Sequence, residues 1–198
     1  MPVLSSRIGL LALCAAAIAC SPQEQEGLKR MRSIGPRLAP TQVDDGYSFD
    51  GPTFETRLTQ RGVQVAEISW QSSLTLGSPV ATDDRVEYRG ADGSVEWYEA
   101  TEQGLEQGFT LATRPEGDLT LLGTVDGING AVTIPGGFSF GSVTYTGLEA
   151  WDAADRALPA EMIWDDAQRT VSLFIPTDAL ESAELPLTVN PLFATGEP

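Results

Sequence analysis

Histidine is missing altogether. A chain without it has no Ser-His-Asp or Cys-His triad, no His-ligated zinc and no imidazole to act as general base. Cysteine is nearly as scarce. The two residues, Cys14 and Cys20, both stand near the N-terminus, so the main body carries neither a disulfide framework nor a thiolate metal site. Basic residues are also few. Lys and Arg number 12 against 28 Asp and Glu, a net charge of −16 over 198 residues. Phosphate binding needs a basic face, so this balance argues against nucleic acid as a partner. No apolar run reaches the ~20 residues of a membrane-spanning helix. What is present is 41% apolar and 20% charged, enough to build a core.

The N-terminus reads as a targeting segment. Arg7 is the only charged side chain before Glu24, and the apolar stretch Ile8–Ile18 follows it. That stretch has the ~7–15 residue length of a signal-peptide apolar region. It ends in Ala17-Ile18-Ala19-Cys20. Small residues at Ala17 and Ala19 before a Cys resemble a bacterial lipobox, with residues 1–19 removed and lipid carried on the Cys20 sulfur. Cys14 fits less well, because bulky Leu13 precedes it. The resemblance also implies a sorting rule, under which Ser21 favours the outer membrane. Acyl chains contribute about 0.8 kcal/mol per buried CH₂, and more than one chain gives stable attachment.

Residues 20–43 read as a flexible, lipid-anchored linker, with three Pro, two Gly and little apolar periodicity. Lys29, Arg30, Arg32 and Arg37 stand there against Glu24 and Glu26. This locally basic stretch is expected either to lie against anionic headgroups or to be solvated.

From residue 44 the hydrophobic period is two. Val86 and Tyr88 alternate with Glu87 and Arg89, Val95 and Trp97 with Glu96 and Tyr98, and Leu119 and Leu121 flank Thr120. Phe138 and Phe140 flank Ser139, Val143 and Tyr145 flank Thr144, and Val171, Leu173 and Ile175 continue the pattern. Turn sequences separate these runs: Ala91-Asp92-Gly93-Ser94, Pro115-Glu116-Gly117-Asp118, Asp126-Gly127-Ile128-Asn129-Gly130 and Pro135-Gly136-Gly137. The fold class is all-β: an antiparallel β-sandwich, or a partly closed barrel, over residues 44–193, with 194–198 as a tail. Asp178-Ala179-Leu180-Glu181 is the only helical hint, as a capping-box turn. Parity turns Trp97, Phe138, Phe140, Leu119, Leu121, Leu173 and Ile175 inward. It puts Tyr98 on the Glu96 face, and Glu87, Glu96, Thr120, Ser139 and Thr144 toward solvent or a polar rim.

Three stretches carry a family resemblance. They are Val86–Arg89 with Val95–Tyr98 and Gly104–Leu111, then Gly147–Ala153 with Arg156–Ala160, then Leu185–Leu192. Their order and spacing resemble the N-terminal β-rich module of bacterial surface proteins with FG-GAP (integrin-alpha-like) or related β-propeller repeats. The family usually has Asp before the final Pro, where this chain has Asn190. The repeats would begin at Pro198, where the sequence ends, so nothing the repeats do is carried over. The resemblance implies no catalytic role for the module.

Candidate chemistry is sparse. Asp44-Asp45, Asp83-Asp84 and Asp165-Asp166 are neighbours in sequence, and neighbours on a strand point to opposite faces. Glu96 and Glu99, near Trp97, are the carboxyl pair that a glycosidase cleft would draft. The loops at Asp92 and Asp126 lack the alternating acids and closing Glu of a calcium loop, and turn chemistry accounts for both. Of the four Trp, Trp70 shares a face with Ile68 and Trp97 with Val95, so both read as core. Trp164, ahead of Asp165-Asp166, is the candidate for an exposed ligand-binding ring.

The resulting expectation is a non-enzymatic lipoprotein of the bacterial cell envelope, most simply of the outer membrane. It would serve as a surface interaction or structural module, with no catalytic residues, no metal and no cofactor. Its expected partners are the membrane, through Cys20, and another envelope protein or a polysaccharide. The alternative is a carbohydrate- or calcium-binding sandwich.

Overall fold

The computed structural model describes residues 36–51 and 54–195. The signal segment 1–19, Cys20 and the basic residues Lys29, Arg30 and Arg32 lie outside the described residues.

Two antiparallel sheets of eight strands each pack face to face as a sandwich that does not close into a barrel. The first sheet contains β1 (Thr41–Val43), β2 (Gly46–Ser48), β3 (Thr56–Thr59), β4 (Gly62–Val65), β5 (Ile68–Ser72), β10 (Leu119–Asp126), β15 (Thr170–Ile175) and β14 (Glu161–Asp165), in that spatial order. The second runs β11 (Val132–Ile134), β12 (Gly137–Phe140), β13 (Val143–Trp151), β16 (Leu187–Thr195), β9 (Gly104–Leu111), β8 (Val95–Thr101), β7 (Arg85–Arg89) and β6 (Val80–Thr82). The chain crosses between sheets several times, which seats β10 and β16 in the middle of their sheets.

Alternation explains why these segments are strands. β10 is buried at Leu119, Leu121, Gly123 and Val125 and exposed at the residues between, so one face serves the core and the other meets water. Leu173, Ile175, Phe138 and Phe140 point inward as parity requires. Thr120 is exposed, and Glu87 and Thr144 are half-buried.

β8 departs from the expected parity. Tyr98 and Ala100 belong to the inter-sheet core at 0% exposure, and Glu96 lies on their face at 3%. Trp97, expected inward, is instead on the outer face, and Glu96 and Ser139, both expected toward solvent, are buried. The hairpin at residues 90–94 decides this. It pairs Tyr88 with Glu96 and Val86 with Tyr98, and directly opposed residues share a face. Because Val86 and Tyr88 go inward, Glu96 and Tyr98 go with them. Trp97 is still only 7% exposed. Its ring lies over Gly108 of β9, and the Arg85 guanidinium covers it at 4.1 Å from the ring centroid.

Paired backbone begins earlier than residue 44. Leu38 bridges Ala100, and β1 starts at Thr41. Arg37, read from sequence as part of a basic tether, pairs with Glu99 at 2.8 Å and Asp84 at 3.0 Å. The Glu99 side chain is 2% exposed and is also held by Arg85, so these charges fasten the incoming chain to the outer face of β8. At the other end β16 runs to Thr195, paired with Val143.

Pro191 lies inside β16, a central strand, where it has no N–H to give. A register shift in β13 between Thr146 and Glu149 lies across from it, with Gly147 at φ 68°. On the β9 side Gln107 stands opposite Pro191, and its carbonyl accepts from the Asn190 side-chain amide at 3.0 Å. An Asp at 190 has no donor for that carbonyl.

The helical turn spans Thr177–Leu180, one residue earlier than the sequence suggests. Pro176 occupies the cap position and offers no side-chain bond. Asp118, from the loop before β10, supplies it, accepting from the Thr177 N–H at 2.8 Å and its hydroxyl at 2.7 Å.

Candidate functional site

The inward parity of β8 puts a carboxyl group between the sheets. Glu96 Oε1 accepts from the Tyr98 hydroxyl and from Gln107 Nε2 at 2.7 Å. Gln107 Nε2 also reaches the Tyr98 oxygen at 2.8 Å, and Gln107 Oε1 accepts from the Tyr145 hydroxyl at 2.6 Å. Three strands, β8, β9 and β13, thus contribute to one buried polar chain. Burial pushes the Glu96 carboxyl up, and the polar hydrogens around it, from the bonded Tyr98 and Gln107 and the neighbouring Ser72 and Trp70, partly offset it. Burial also raises the phenols of Tyr98 and Tyr145 well above the ordinary tyrosine value, with the nearby Glu96 carboxyl adding to it.

Glu96 Oε2 has no hydrogen-bond partner, and neither does Trp70 Nε1 across the sandwich on β5. Both side chains line a pocket of about 80 Å³. Tyr88, Tyr98 and Ser72 complete its floor, and Gln60, Arg61 and Gln71 stand at its exposed rim. The Tyr88 hydroxyl is already engaged, donating to the Thr59 carbonyl at 3.0 Å. Trp70 is fixed by its surroundings. Its ring packs against Tyr145 at 5.0 Å and Phe193 at 5.6 Å, and its benzo edge lies over Gly123. Its N–H edge is buried as well.

A larger concavity, about 560 Å³, lies over β2, β3 and β4. Its buried polar side chain, Thr56, exchanges hydrogen bonds with the Phe49 backbone, and its Arg57 pairs with Asp45. Among the described residues that line it, none has a buried unpartnered side-chain atom.

The other sequence candidates are placed as follows. Glu96 and Glu99, three residues apart on a strand, face opposite sides of the sheet, so the drafted carboxyl pair shares no cleft. Trp164 is half-buried against Phe140 at 5.3 Å and Phe138 at 6.5 Å, and its N–H donates to Asp166 at 3.3 Å. Asp92 accepts from the Ser94 N–H at 3.0 Å and its hydroxyl at 2.6 Å, an Asx turn with Gly93 at φ 84°. In the Asp126 loop the Arg169 guanidinium donates to the Ile128 carbonyl, so a cation already sits there. Among the described residues no three His, Cys, Asp or Glu side chains gather as metal ligands.

The chain matches no protein-family model, no curated protein and no solved structure. The site therefore rests on geometry. Sequence reading singled out Glu96 for a different role and Trp70 as core. The hairpin register was the signal that would have turned Glu96 inward; nothing in the local pattern joins it to Trp70 across the sandwich.

Proposed function

We propose that the protein is a non-enzymatic ligand-binding module of the bacterial cell envelope, tethered through lipid on Cys20. The observation that carries the binding role is the inter-sheet pocket, lined by Trp70 and Glu96, whose indole N–H and second carboxyl oxygen are buried without hydrogen bonds. Such groups cost free energy in the free protein that a matching ligand recovers. Only one carboxyl, Glu96, lines this pocket, so it has the means to hold a ligand but not the acid–base pair of a glycosidase. The tether rests on the apolar run Ile8–Ile18 and the Ala17-Ile18-Ala19-Cys20 sequence. An envelope setting gives the acidic domain access to polysaccharide or to another envelope protein.

The test is a small-molecule screen by thermal shift, comparing wild type with Gly77→Phe. Gly77 lines the pocket on an exposed loop, where an added Cβ would meet only the Arg89 carbonyl oxygen, at 3.4 Å. A phenyl ring there should obstruct the mouth and leave the core alone. The binding reading expects compounds that raise the wild-type melting temperature and leave the variant unmoved. Equal shifts in both proteins, or none in wild type, would overturn it.

A further inference from the structure

We infer that the free edge of β14 is a docking site for an extended, basic segment of a partner polypeptide, which joins the first sheet as an added strand. This surface shares no residue with the pocket, so either can fail without the other. β14 ends its sheet, and among the described residues no strand pairs with its far side. The other three sheet ends, β1, β6 and β11, are strands of three residues each, and such shortness blunts an edge. β14 runs for five residues in unbroken register with β15. Hydrogen bonds two strands away fix which of its backbone groups are free. On β10 the Leu122 carbonyl accepts from the Ser73 N–H at 2.8 Å, and the Leu122 N–H donates to the Ser73 hydroxyl at 3.3 Å. Both groups therefore point away from β15. Directly opposed residues either exchange bonds or both turn away, so Ser172, opposite Leu122, turns toward β14 and bonds with Ile163. The backbone N–H and C=O of Met162 and Trp164 then face the open side.

The side chains along that edge say what fits it. Ile163 is 48% exposed on the outer face, in one row with Ser172 and with Leu122, itself 40% exposed. Half-buried Phe174 lies on the same face of β15. A strand laid on the edge sets one side chain opposite Ile163 and extends this apolar row. Glu161 and Asp165 flank Ile163 on the same face, both exposed. Residues opposite these three form non-hydrogen-bonded pairs, in which side chains approach most closely, so charge selects the occupant. A second copy in the fully overlapping antiparallel register sets Glu161 against Asp165, and like charges directly opposed destabilise the pair. The net charge of −16 repels a second copy or an anionic surface at longer range too, and attracts a basic partner. The matching segment carries Lys or Arg opposite Glu161 and Asp165 and a β-branched residue opposite Ile163. Main-chain bonds to Met162 and Trp164 supply affinity, and the alternate side chains supply specificity.

The experiment titrates the full chain in detergent with the synthetic peptide acetyl-Thr-Lys-Thr-Val-Thr-Lys-Thr-amide, followed by amide NMR and hydrogen exchange. Two contrasts accompany it. One has Glu in place of Lys, and the other, acetyl-Thr-Thr-Lys-Lys-Val-Thr-Thr-amide, keeps the charge but breaks the alternation. The alternating Lys peptide should bind saturably, weaken as salt is raised, and slow exchange at the Met162 and Trp164 amides. Met162→Pro removes an outward N–H without losing a ladder bond, a change that an edge strand tolerates, and should weaken binding about tenfold or more. Glu161→Lys should weaken the Lys peptide and narrow its lead over the Glu peptide. That exposed side chain carries the test alone if Met162→Pro fails to fold. Equal binding of the two Lys peptides, unmoved by the variant that folds, would mean diffuse attraction to an acidic domain and overturn the inference. A dimer of the chain lost in Met162→Pro would make a second copy the occupant and overturn it as well. Binding of no peptide would leave β14 a bare sheet end, and the inference would fall while the pocket's own test stood.

Discussion

Two glycines carry tryptophans, and the same substitution at each should have different consequences. A Cβ at Gly123 would lie 1.9 Å from Trp70 Cζ2, and one at Gly108 would lie 1.9 Å from Trp97 Cζ2. Carbon atoms in contact prefer about 3.5–4.0 Å, so each ring must retreat by roughly 1.5–2 Å. Trp70 has nowhere to go. It is 2% exposed, and the rings next to it, Tyr145 and Phe193, are at 0%. Overpacking such a core costs about 1–3 kcal/mol, occasionally more, against which Ala recovers ~0.5–1 kcal/mol over Gly in a strand. At the upper end of that range, where no neighbour can yield, Gly123→Ala should destabilise by about 2 kcal/mol net. Trp97 is held on its outer side by Arg85, a side chain 31% exposed, and by a hydrogen bond from its N–H to Thr110 Oγ1 at 3.3 Å. Its ring can lift outward, giving up a cation–π contact of ~0.5–1 kcal/mol and part of its burial. Gly108→Ala should cost about 1 kcal/mol.

Urea unfolding, with unchanged slope, is the assay. For a domain of this size the Gly123→Ala loss corresponds to a fall in melting temperature of roughly 4–8 °C. A double-mutant cycle isolates the clash. The offending atoms belong to the benzo ring, which Phe lacks, so Trp70→Phe should relieve Gly123→Ala with a coupling of about 1–2 kcal/mol. Gly108→Ala costing as much as Gly123→Ala, or an additive cycle, would refute the placement of the two rings.

Asn190→Asp should destabilise by about 1–3 kcal/mol or more at pH 7, read by urea unfolding, because the Gln107 carbonyl loses its donor and gains a carboxylate neighbour. Asp152 accepts from the Ala154, Arg156 and Glu184 N–H groups and from the Arg156 guanidinium; burial works against this, yet they hold its carboxyl down to about 2. A lowered carboxyl stabilises above its unfolded value near ~3.9 and loses that contribution as pH falls toward 2, so Asp152→Asn should cost about 1–2 kcal/mol at pH 7, discounted for the solvent around Arg156, and little at pH 2. Glu96 has the opposite sign: its raised carboxyl favours the fold below ~4.3 and the benefit is lost as pH rises, so Glu96→Gln should match or exceed wild-type stability at pH 7 and lose that advantage near pH 4. A uniform loss across that range would contradict it. Cys20→Ser should abolish detergent-phase partitioning, and a wild-type product with a free Cys20 thiol would sink the lipid anchor.

Strand positions were legible in the sequence wherever one face is apolar and the other polar. Thr120 between Leu119 and Leu121 leaves one choice of face, and β10 takes it. β8 was not legible alone, because Val95, Trp97, Tyr98 and Ala100 put apolar groups on both parities. Choosing the face of the largest side chain inverted the strand. Burying a Trp removes ~150–250 Å² from water whichever face it is on, provided something covers it. Here Arg85 and the side-chain-free Gly108 provide the cover on the outer face. The information lay one hairpin away, in the unambiguous Val86 and Tyr88 and the turn that fixes their partners. The candidate site was illegible for a further reason. Its members come from β5, β7 and β8, and sheet-to-sheet apposition leaves no trace in local periodicity.

A carboxyl between two sheets is a poor choice for stability alone. Burying it costs several kcal/mol unless every lone pair finds a donor, and an apolar side chain of similar size is commonly neutral or better. The network meets half of that requirement. Tyr98 and Gln107 converge on Oε1, Tyr145 orients Gln107, and Oε2 is left facing the pocket. If the chain served only to register β8, β9 and β13, a Gln at 96 would accept the same two hydrogen bonds without the ionisation cost. A second orphan, Trp70 Nε1, on the opposite sheet makes an accident of packing harder to sustain, since Phe would fill that part of the core with no donor to satisfy. Two polar side chains from opposite sheets, each with a buried atom short of a hydrogen bond beside one pocket, are where the proposed binding role is to be tested first.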